Sequence, residues 1–168
     1  MKKLLLVTLV VLLAFGAVSA LAVPSKTVED MVSFDTAVIY TAESEEAQQE
    51  LETLIEEGTE AYLGDEVVAE AKALLESDEI EINEFMGIFV GEYDETMGDV
   101  NVKATFATPY EAGEKLCIAI GVSAEEGYAW TLLEGTANEE NTVEFLLPGE
   151  LITELNANGG LLAVINAK

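Results

Sequence analysis

Carboxylates are the only abundant side chains in this sequence that could do chemistry. The 168 residues include 33 aspartates and glutamates and seven lysines, but no arginine and no histidine, so the formal net charge is −26. Two carboxylates can hydrolyse a glycosidic bond, one as the acid and one as the nucleophile or base, when they are held at a defined separation. Because the acids are so numerous, spacing alone singles out no pair.

The missing residue types exclude several classes of function. Without histidine there is no Ser-His-Asp or Cys-His nucleophile system and no His-ligated metal site. Without arginine there is no bidentate clamp for phosphate or carboxylate groups. Nucleic acid is also an unsuitable partner, because its binding depends on lysine and arginine that neutralise phosphates.

A group of oxygen-bearing side chains in a predicted inter-strand loop is the best candidate for a metal site. The group consists of Glu92, Asp94, Glu95, Asp99 and Asn101. The favoured interpretation is a polar hairpin with Gly98 at a turn position of positive φ. The functional alternative is a calcium site with Asp94, Glu95 and Asp99 as candidate ligands, because calcium prefers oxygen donors. The spacing is not that of an EF-hand loop, and no other cofactor is expected.

Two aromatic residues and the single cysteine complete the candidates. Tyr128 and Trp130 lie on one face of a predicted strand, followed by Leu132. They form either a stacking platform for carbohydrate or peptide or part of an ordinary core, and a single Trp among inward-facing apolar residues favours the core. Cys117 lies in an apolar run, which predicts a buried thiol. A redox centre or an intermolecular bridge is the alternative.

The first 22 residues have the pattern of a secretory signal peptide. Lys2 and Lys3 precede an apolar run, and small residues at cleavage spacing end at Ala20 or Ala22. An uncleaved anchor helix is the alternative. Cleavage predicts a secreted or cell-wall-associated protein with no membrane contact, and the loss of the two lysines takes the net charge from −26 to −28.

Residues 23–77 are predicted as an N-terminal arm and a helical hairpin. Over 44–57 the apolar residues repeat with the period of a helix, and a second helix is expected over 65–76 after a short link. The short link predicts that the two helices pack as a hairpin. Upstream, over 27–41, the alternation is imperfect and indicates either a strand or a packing arm.

Residues 78–168 are predicted as an immunoglobulin-like antiparallel β-sandwich. Apolar and polar residues alternate here between frequent turn signals, which is typical of such sandwiches. A helix of one or two turns is expected over 148–155. The fold class is therefore α+β, with the helical hairpin packed on the sandwich. The predicted core consists of Val102, Phe106, Ile118, Ile120, Trp130, Phe145 and Val164.

A resemblance can be added to these patterns. The stretch from Gly98 to Gly113, which contains Thr105-Phe106-Ala107-Thr108-Pro109-Tyr110, together with Trp130 resembles a group of uncharacterised secreted acidic proteins of Gram-positive bacteria. Those proteins similarly place a helical segment before a β-rich one. The resemblance implies an extracellular setting and carries no known activity.

The expected function is that of a secreted, non-enzymatic binding or interaction protein with an acidic surface. Its expected partners are a cationic protein, a cell-wall polymer or divalent cations. The alternative is a carboxylate-dependent extracellular glycoside hydrolase or a carbohydrate-binding module. A third interpretation is that the acidity is an adaptation to saline surroundings and says nothing about partners.

Overall fold

The computed structural model describes residues 32–42, 44–106, 108–138 and 142–168. The predicted signal peptide, 1–22, lies outside the described residues. The helices are α1 Glu45–Glu57, α2 Thr59–Leu63, α3 Asp65–Leu75 and α4 Gly149–Asn158, with a 3₁₀ turn at Glu95–Met97. The strands are β1 Val32–Phe34, β2 Ile39–Tyr40, β3 Ile80–Val90, β4 Val100–Phe106, β5 Lys115–Ser123, β6 Tyr128–Ala137, β7 Thr142–Leu147 and β8 Gly160–Ala167.

The eight strands form one antiparallel sheet that curls until it is nearly closed. Their order is β1-β4-β7-β6-β5-β8-β3-β2, so β1 and β2 stand at opposite ends. A flat sheet of this width would separate its end strands by about 33 Å. The chain from Phe34 to Ile39 reaches at most about 18 Å. The short connection between β1 and β2 therefore requires the two ends of the sheet to approach each other.

The concave face of the curled sheet encloses the larger of two apolar cores. Every strand contributes side chains to this interior core, and one face of α4 packs against it. Six of the seven predicted core residues lie here, as the alternation indicated. They are Val102, Phe106, Ile118, Ile120, Phe145 and Val164.

A second apolar core lies between the convex face of the sheet and the first three helices. It joins Ala47 of α1 and Ala71 of α3 to Phe85, Cys117 and Ala163 on the central strands. Strands β5 and β8 are thus buried on both faces, which explains why their sequences are nearly continuous apolar runs. The seventh predicted core residue, Trp130, packs against this second core and is only partly buried, so it lies apart from the other six.

Two glycines divide the helical region into three helices. Gly58 and Gly64 both have φ near +80°, a conformation that favours glycine, and each donates its backbone N–H to the preceding helix. The short helix α2 therefore occupies much of the stretch between the two predicted helices. At the start of α1, Ser44 Oγ accepts a hydrogen bond from Ala47 N at 3.2 Å, as expected of an N-cap.

The coarse prediction of helices together with an antiparallel, β-rich part is confirmed. The region 27–41, predicted as a strand or a packing arm, contributes β1 and β2 where it is described. The immunoglobulin-like arrangement, the helical hairpin and the boundary between 23–77 and 78–168 stay predictions.

Candidate functional site

The three predicted calcium ligands take different roles in the loop between β3 and β4. Asp94 Oδ1 accepts hydrogen bonds from the Thr96 backbone N at 2.9 Å and from its hydroxyl at 2.6 Å, and these bonds lower the pKa of Asp94. Asp99 Oδ1 accepts from Gly149 N at 3.0 Å, which ties the loop to the start of α4. Glu95 is exposed.

No group of three or more His, Cys, Asp or Glu side chains is assembled for a metal ion in the part of the chain that the structure describes. The Oδ1 atoms of Asp94 and Asp99 accept the hydrogen bonds given above, which fit the polar-hairpin interpretation. Calcium binding by this loop stays a prediction.

The other sequence candidates, Tyr128 and Trp130, belong to a mixed aromatic and acidic group beside α1. The Tyr128 hydroxyl donates to Glu46 Oε1 at 2.6 Å, and the Tyr62 hydroxyl donates to Glu50 Oε2 at 2.8 Å. The Trp130 ring lies between the two phenols, with centroids 6.2 Å from Tyr62 and 6.0 Å from Tyr128. We call Glu46, Glu50, Tyr62, Tyr128 and Trp130 the aromatic–carboxylate cluster.

Contacts with the sheet fix the positions of the rings of this cluster. Trp130 pairs across the sheet with Gly121, and a Cβ atom on Gly121 would stand 2.9 Å from the indole Cζ3. Only glycine lets the indole lie so close to the strand. On the other side Tyr62 meets Phe85 edge to face, with centroids 5.8 Å apart. The cluster is therefore partly a core layer and partly an accessible surface.

The phenols of the cluster are hydrogen-bond donors at neutral pH. Burial, followed by the hydrogen bond to Glu50, raises the pKa of Tyr62. Burial, followed by the hydrogen bond to Glu46, raises the pKa of Tyr128 in the same way. Both phenols therefore stay protonated at neutral pH, and the cluster offers aromatic faces and carboxylate oxygens for binding.

A β-bulge in β3 turns a third carboxylate into the interior. The pairing of β3 with β8 shifts register between Ile82 and Glu84. Ile80 and Ile82 pack toward the helices, whereas Met86 and Ile88 belong to the interior core. The extra residue at the bulge moves the alternation to the other face, so Glu84 points inward with Met86 and Ile88.

Glu84 is 1% exposed and only half satisfied. Its Oε1 accepts from Thr108 N at 2.9 Å, while its Oε2 has no hydrogen-bond partner in the described chain. Tyr110 is close by, and burial together with the charge of Glu84 raises its pKa. Thr108 follows the end of β4, so Glu84 connects two strands that lie near opposite ends of the sheet order.

The remaining acidic surface has few basic partners. Among the described residues the lysine–carboxylate pairs are Lys72–Glu60 at 2.6 Å, Lys103–Glu144 at 3.0 Å and Lys115–Glu76 at 2.6 Å. The hydrogen bond from lysine is the main cause that lowers the pKa of Glu76 and of Glu144. Such exposed pairs contribute little to stability.

Cys117 is fully buried against the helices, and burial followed by the charge of Glu70 raises its pKa to about 12. The predicted burial of this thiol is therefore confirmed. A thiol whose pKa is raised in this way is a poor nucleophile at neutral pH. A surface depression of about 180 Å³ lies nearby between Leu74, Lys115 and Glu134. It is smaller than the roughly 300–1,000 Å³ of sites that enclose small molecules.

The sequence patterns do not identify four members of these groups, which are Tyr62, Glu46, Glu50 and Glu84. The spacing of Glu46 and Glu50 does place them on one helix face, which was an available signal. Tyr62 falls in the short link between the helices predicted over 44–57 and 65–76. Glu84 gave no signal, because a charged residue in a strand ordinarily indicates the solvent face.

No described helix is both long enough and apolar enough to cross a membrane. Comparison with protein-family models, with curated protein sequences and with solved structures finds no match for this chain.

Proposed function

We propose that this protein is a secreted, non-enzymatic binding protein whose acidic surface receives cationic partners. The observation that carries the proposal is the shortage of basic side chains beside its carboxylates. Helix α1 alone exposes five glutamates, and no described salt bridge reaches any of them. They are Glu45, Glu46, Glu52, Glu56 and Glu57. A surface of one sign attracts ligands of the opposite sign and speeds their association.

The aromatic–carboxylate cluster gives this surface a point of higher affinity. Tyr62 and Tyr128 hold Glu50 and Glu46 in fixed positions, so less side-chain entropy is lost when a cation binds. The partly exposed Trp130 ring supports ammonium or guanidinium groups through cation–π attraction. A lysine-rich or arginine-rich protein segment fits this chemistry best. A cell-wall polymer that carries amino groups would bring the same positive charge. So would divalent cations.

The partly exposed rings of Tyr128 and Trp130 favour a second candidate, a carbohydrate-binding module or a glycoside hydrolase that uses carboxylates. In that case the rings would stack on a sugar and Glu46 or Glu50 would act beside it. The finer description of the fold, a helical hairpin packed on an immunoglobulin-like sandwich, is part of the proposal as well. Its support is the antiparallel pairing and the helices packed on one face of the sheet.

The first test is binding of fluorescein-labelled decalysine, followed by fluorescence anisotropy at low and high salt. We expect binding at 50 mM NaCl that weakens about tenfold or more at 300 mM, because salt screens exposed charges. The double variant Glu46→Gln/Glu50→Gln should lose more affinity than the matched variant Glu52→Gln/Glu56→Gln. That control removes the same charge from exposed positions of the same helix, and neither Glu52 nor Glu56 is among the groups that act on the phenols of the cluster.

Other outcomes of this test contradict the proposal. Absence of decalysine binding at low salt would refute it. Salt-insensitive binding of a neutral polysaccharide would favour the carbohydrate-binding module, and release of reducing sugar that Glu46→Gln abolishes would favour the hydrolase. Calcium titration of wild type and Asp99→Asn tests the loop predicted to bind calcium.

A further inference from the structure

Part of one edge of β6 has no strand beside it among the residues that the structure describes. Residues 128–136 of β6 pair with β5, but pairing with β7 covers only Gly135–Ala137. Strand β7 instead stays with β4 as far as Leu147, which pairs with Val100. The sheet therefore forks, and the backbone edge of Tyr128–Leu133 that faces away from β5 is unpaired by any described strand. We call this the β6 free edge.

The β6 free edge is accessible and lacks the usual protection. Ala129 and Thr131 are exposed, which shows that nothing described covers the strand on its inner side. The six residues from Tyr128 to Leu133 contain no proline, no glycine and no charge, whereas natural edge strands are commonly blocked by such residues. The strands at the ends of the sheet, β1 and β2, are short instead, with three and two residues.

Negative charge at both ends of the β6 free edge determines which kind of strand can pair with it. Glu125 and Glu126 precede the strand and Glu134 follows its free part, and no lysine lies between 116 and 138. A second copy of this chain added antiparallel to the edge would bring Glu134 close to the Glu126 of its neighbour. Like charges facing each other across strands are destabilising. An extended basic segment of another protein meets opposite charge at both ends.

We infer that the β6 free edge accepts an extended, lysine-bearing or arginine-bearing peptide as an additional strand. The inference rests on the proposed function and specifies where and in what conformation the cationic partner binds. Backbone hydrogen bonds along Tyr128–Leu133 supply affinity that does not depend on the peptide sequence. The glutamates at the two ends select basic residues spaced by about 26 Å, or eight residues of extended chain.

The test uses a fluorescein-labelled ten-residue peptide of alternating lysine and threonine. We compare its affinity for wild type, Thr131→Lys and Thr105→Lys by fluorescence anisotropy. Both variants add one positive charge at an exposed strand position. Thr131 is on the β6 free edge, whereas Thr105 lies in β4 with β1 and β7 paired on either side. We expect Thr131→Lys to weaken binding about tenfold more than Thr105→Lys, because a lysine on the edge repels an added basic strand.

Amide hydrogen exchange of the wild-type protein gives the second measurement. We expect the peptide to slow exchange within Tyr128–Leu133. Equal weakening by the two variants with no slowed exchange in β6 would overturn the edge site and leave the acidic-surface proposal standing. No binding of the peptide or of decalysine would overturn both. Protection of the β6 free edge through dimerisation without peptide would make a second copy the occupant and refute the inference.

Discussion

The Tyr128 hydroxyl lies 2.6 Å from Glu46 Oε1, and this hydrogen bond joins the first helix to the sixth strand across 82 positions of sequence. One helical turn further, Glu50 accepts from Tyr62 at 2.8 Å. From the sequence alone Glu46 and Glu50 form an unfavourable like-charge pair at i, i+4. Each has its own phenol donor in the fold, so a local cost in α1 is offset by contacts made only in the tertiary structure.

We expect the loss of either phenol to lower stability and to change its dependence on alkaline pH. Tyr62→Phe and Tyr128→Phe should each lower the free energy of unfolding by about 0.5–1.5 kcal/mol at pH 7, the usual net worth of one hydrogen bond. Both phenols have a pKa above the ordinary 10.0. The folded state therefore keeps protons that the unfolded state releases, and stability should fall as the pH rises past about 10.

Urea denaturation at pH 8 and pH 10.5 measures this effect. The double variant Tyr62→Phe/Tyr128→Phe should lose less stability over that interval than wild type. Tyr40→Phe is the matched control, because Tyr40 is 49% exposed and stacks on Phe89 at the far edge of the sheet. A double variant with the same alkaline loss as wild type would contradict the assignment.

We expect Glu84 to stabilise the fold through the oxygen that accepts the Thr108 N–H, and not through its negative charge. Glu84→Gln keeps an oxygen for the Thr108 N–H and removes a buried carboxylate that no salt bridge of the described residues reaches. We expect its free energy of unfolding to equal or exceed that of wild type, since buried charges are costly. Glu84→Ala leaves a cavity and an unpaired N–H, and should lower the free energy of unfolding by about 2–4 kcal/mol.

The neighbouring Glu81 on the same strand is the control for Glu84. Glu81 is half-buried near the start of β3. Glu81→Ala should change the free energy of unfolding by less than about 1 kcal/mol. Chemical denaturation at neutral pH compares the variants. Equal stability of Glu84→Ala and wild type would show that the contact with Thr108 does not hold the curled sheet together.

Periodicity predicted the interior of the sheet well, because alternation fixes which side chains share a face. It placed Val102, Phe106 and Phe145 correctly in one core. It did not assign Trp130 to the opposite face, because the side chosen by a strand depends on the register with its neighbours. The aromatic residue is therefore recognisable from sequence, while its surroundings are not.

The features that sequence could not supply depend on local irregularities and on distant pairing. The bulge after Ile82 reverses the alternation, and no turn or glycine signal accompanies it. Strands β1 and β2 are too short to show a period, although the four residues between them impose the curl of the whole sheet. The fork that exposes the β6 free edge arises because β7 follows β4, which is a property of three strands together.

Adjacent residues of β7 separate core packing from general effects of truncation. Phe145 is 4% exposed in the interior core, whereas Leu146 points outward and is 48% exposed. Phe145→Ala should lower the free energy of unfolding by about 3–5 kcal/mol, as large-to-small core substitutions do. Leu146→Ala should change it by less than about 0.5 kcal/mol. Similar losses for both variants, measured by urea denaturation, would contradict the assigned faces of β7.

Three exposed carboxylates have pKa values that folding lowers, so we expect stability to fall at acidic pH. Hydrogen bonds from lysine or threonine side chains hold the pKa of Glu76 and Glu144 below 4.5 and that of Asp94 below 3.8. In the unfolded state these groups return to their ordinary values and take up protons first as the pH falls. Their contribution to stability is therefore present above about pH 5 and is lost as the pH falls through the folded-state pKa values.

Thermal melts at pH 7, 5 and 3.5 test this sign. The wild-type melting temperature should fall between pH 5 and pH 3.5. The triple variant Glu76→Gln/Asp94→Asn/Glu144→Gln should begin lower at pH 7 and lose less on acidification, because its hydrogen bonds no longer depend on ionisation. A control that neutralises the exposed residues Glu52, Glu111 and Glu154 removes the same formal charge without touching those three hydrogen-bonded carboxylates. If that control reduced the acid loss as much as the triple variant does, repulsion within the whole acidic surface, and not these three contacts, would govern the acid dependence.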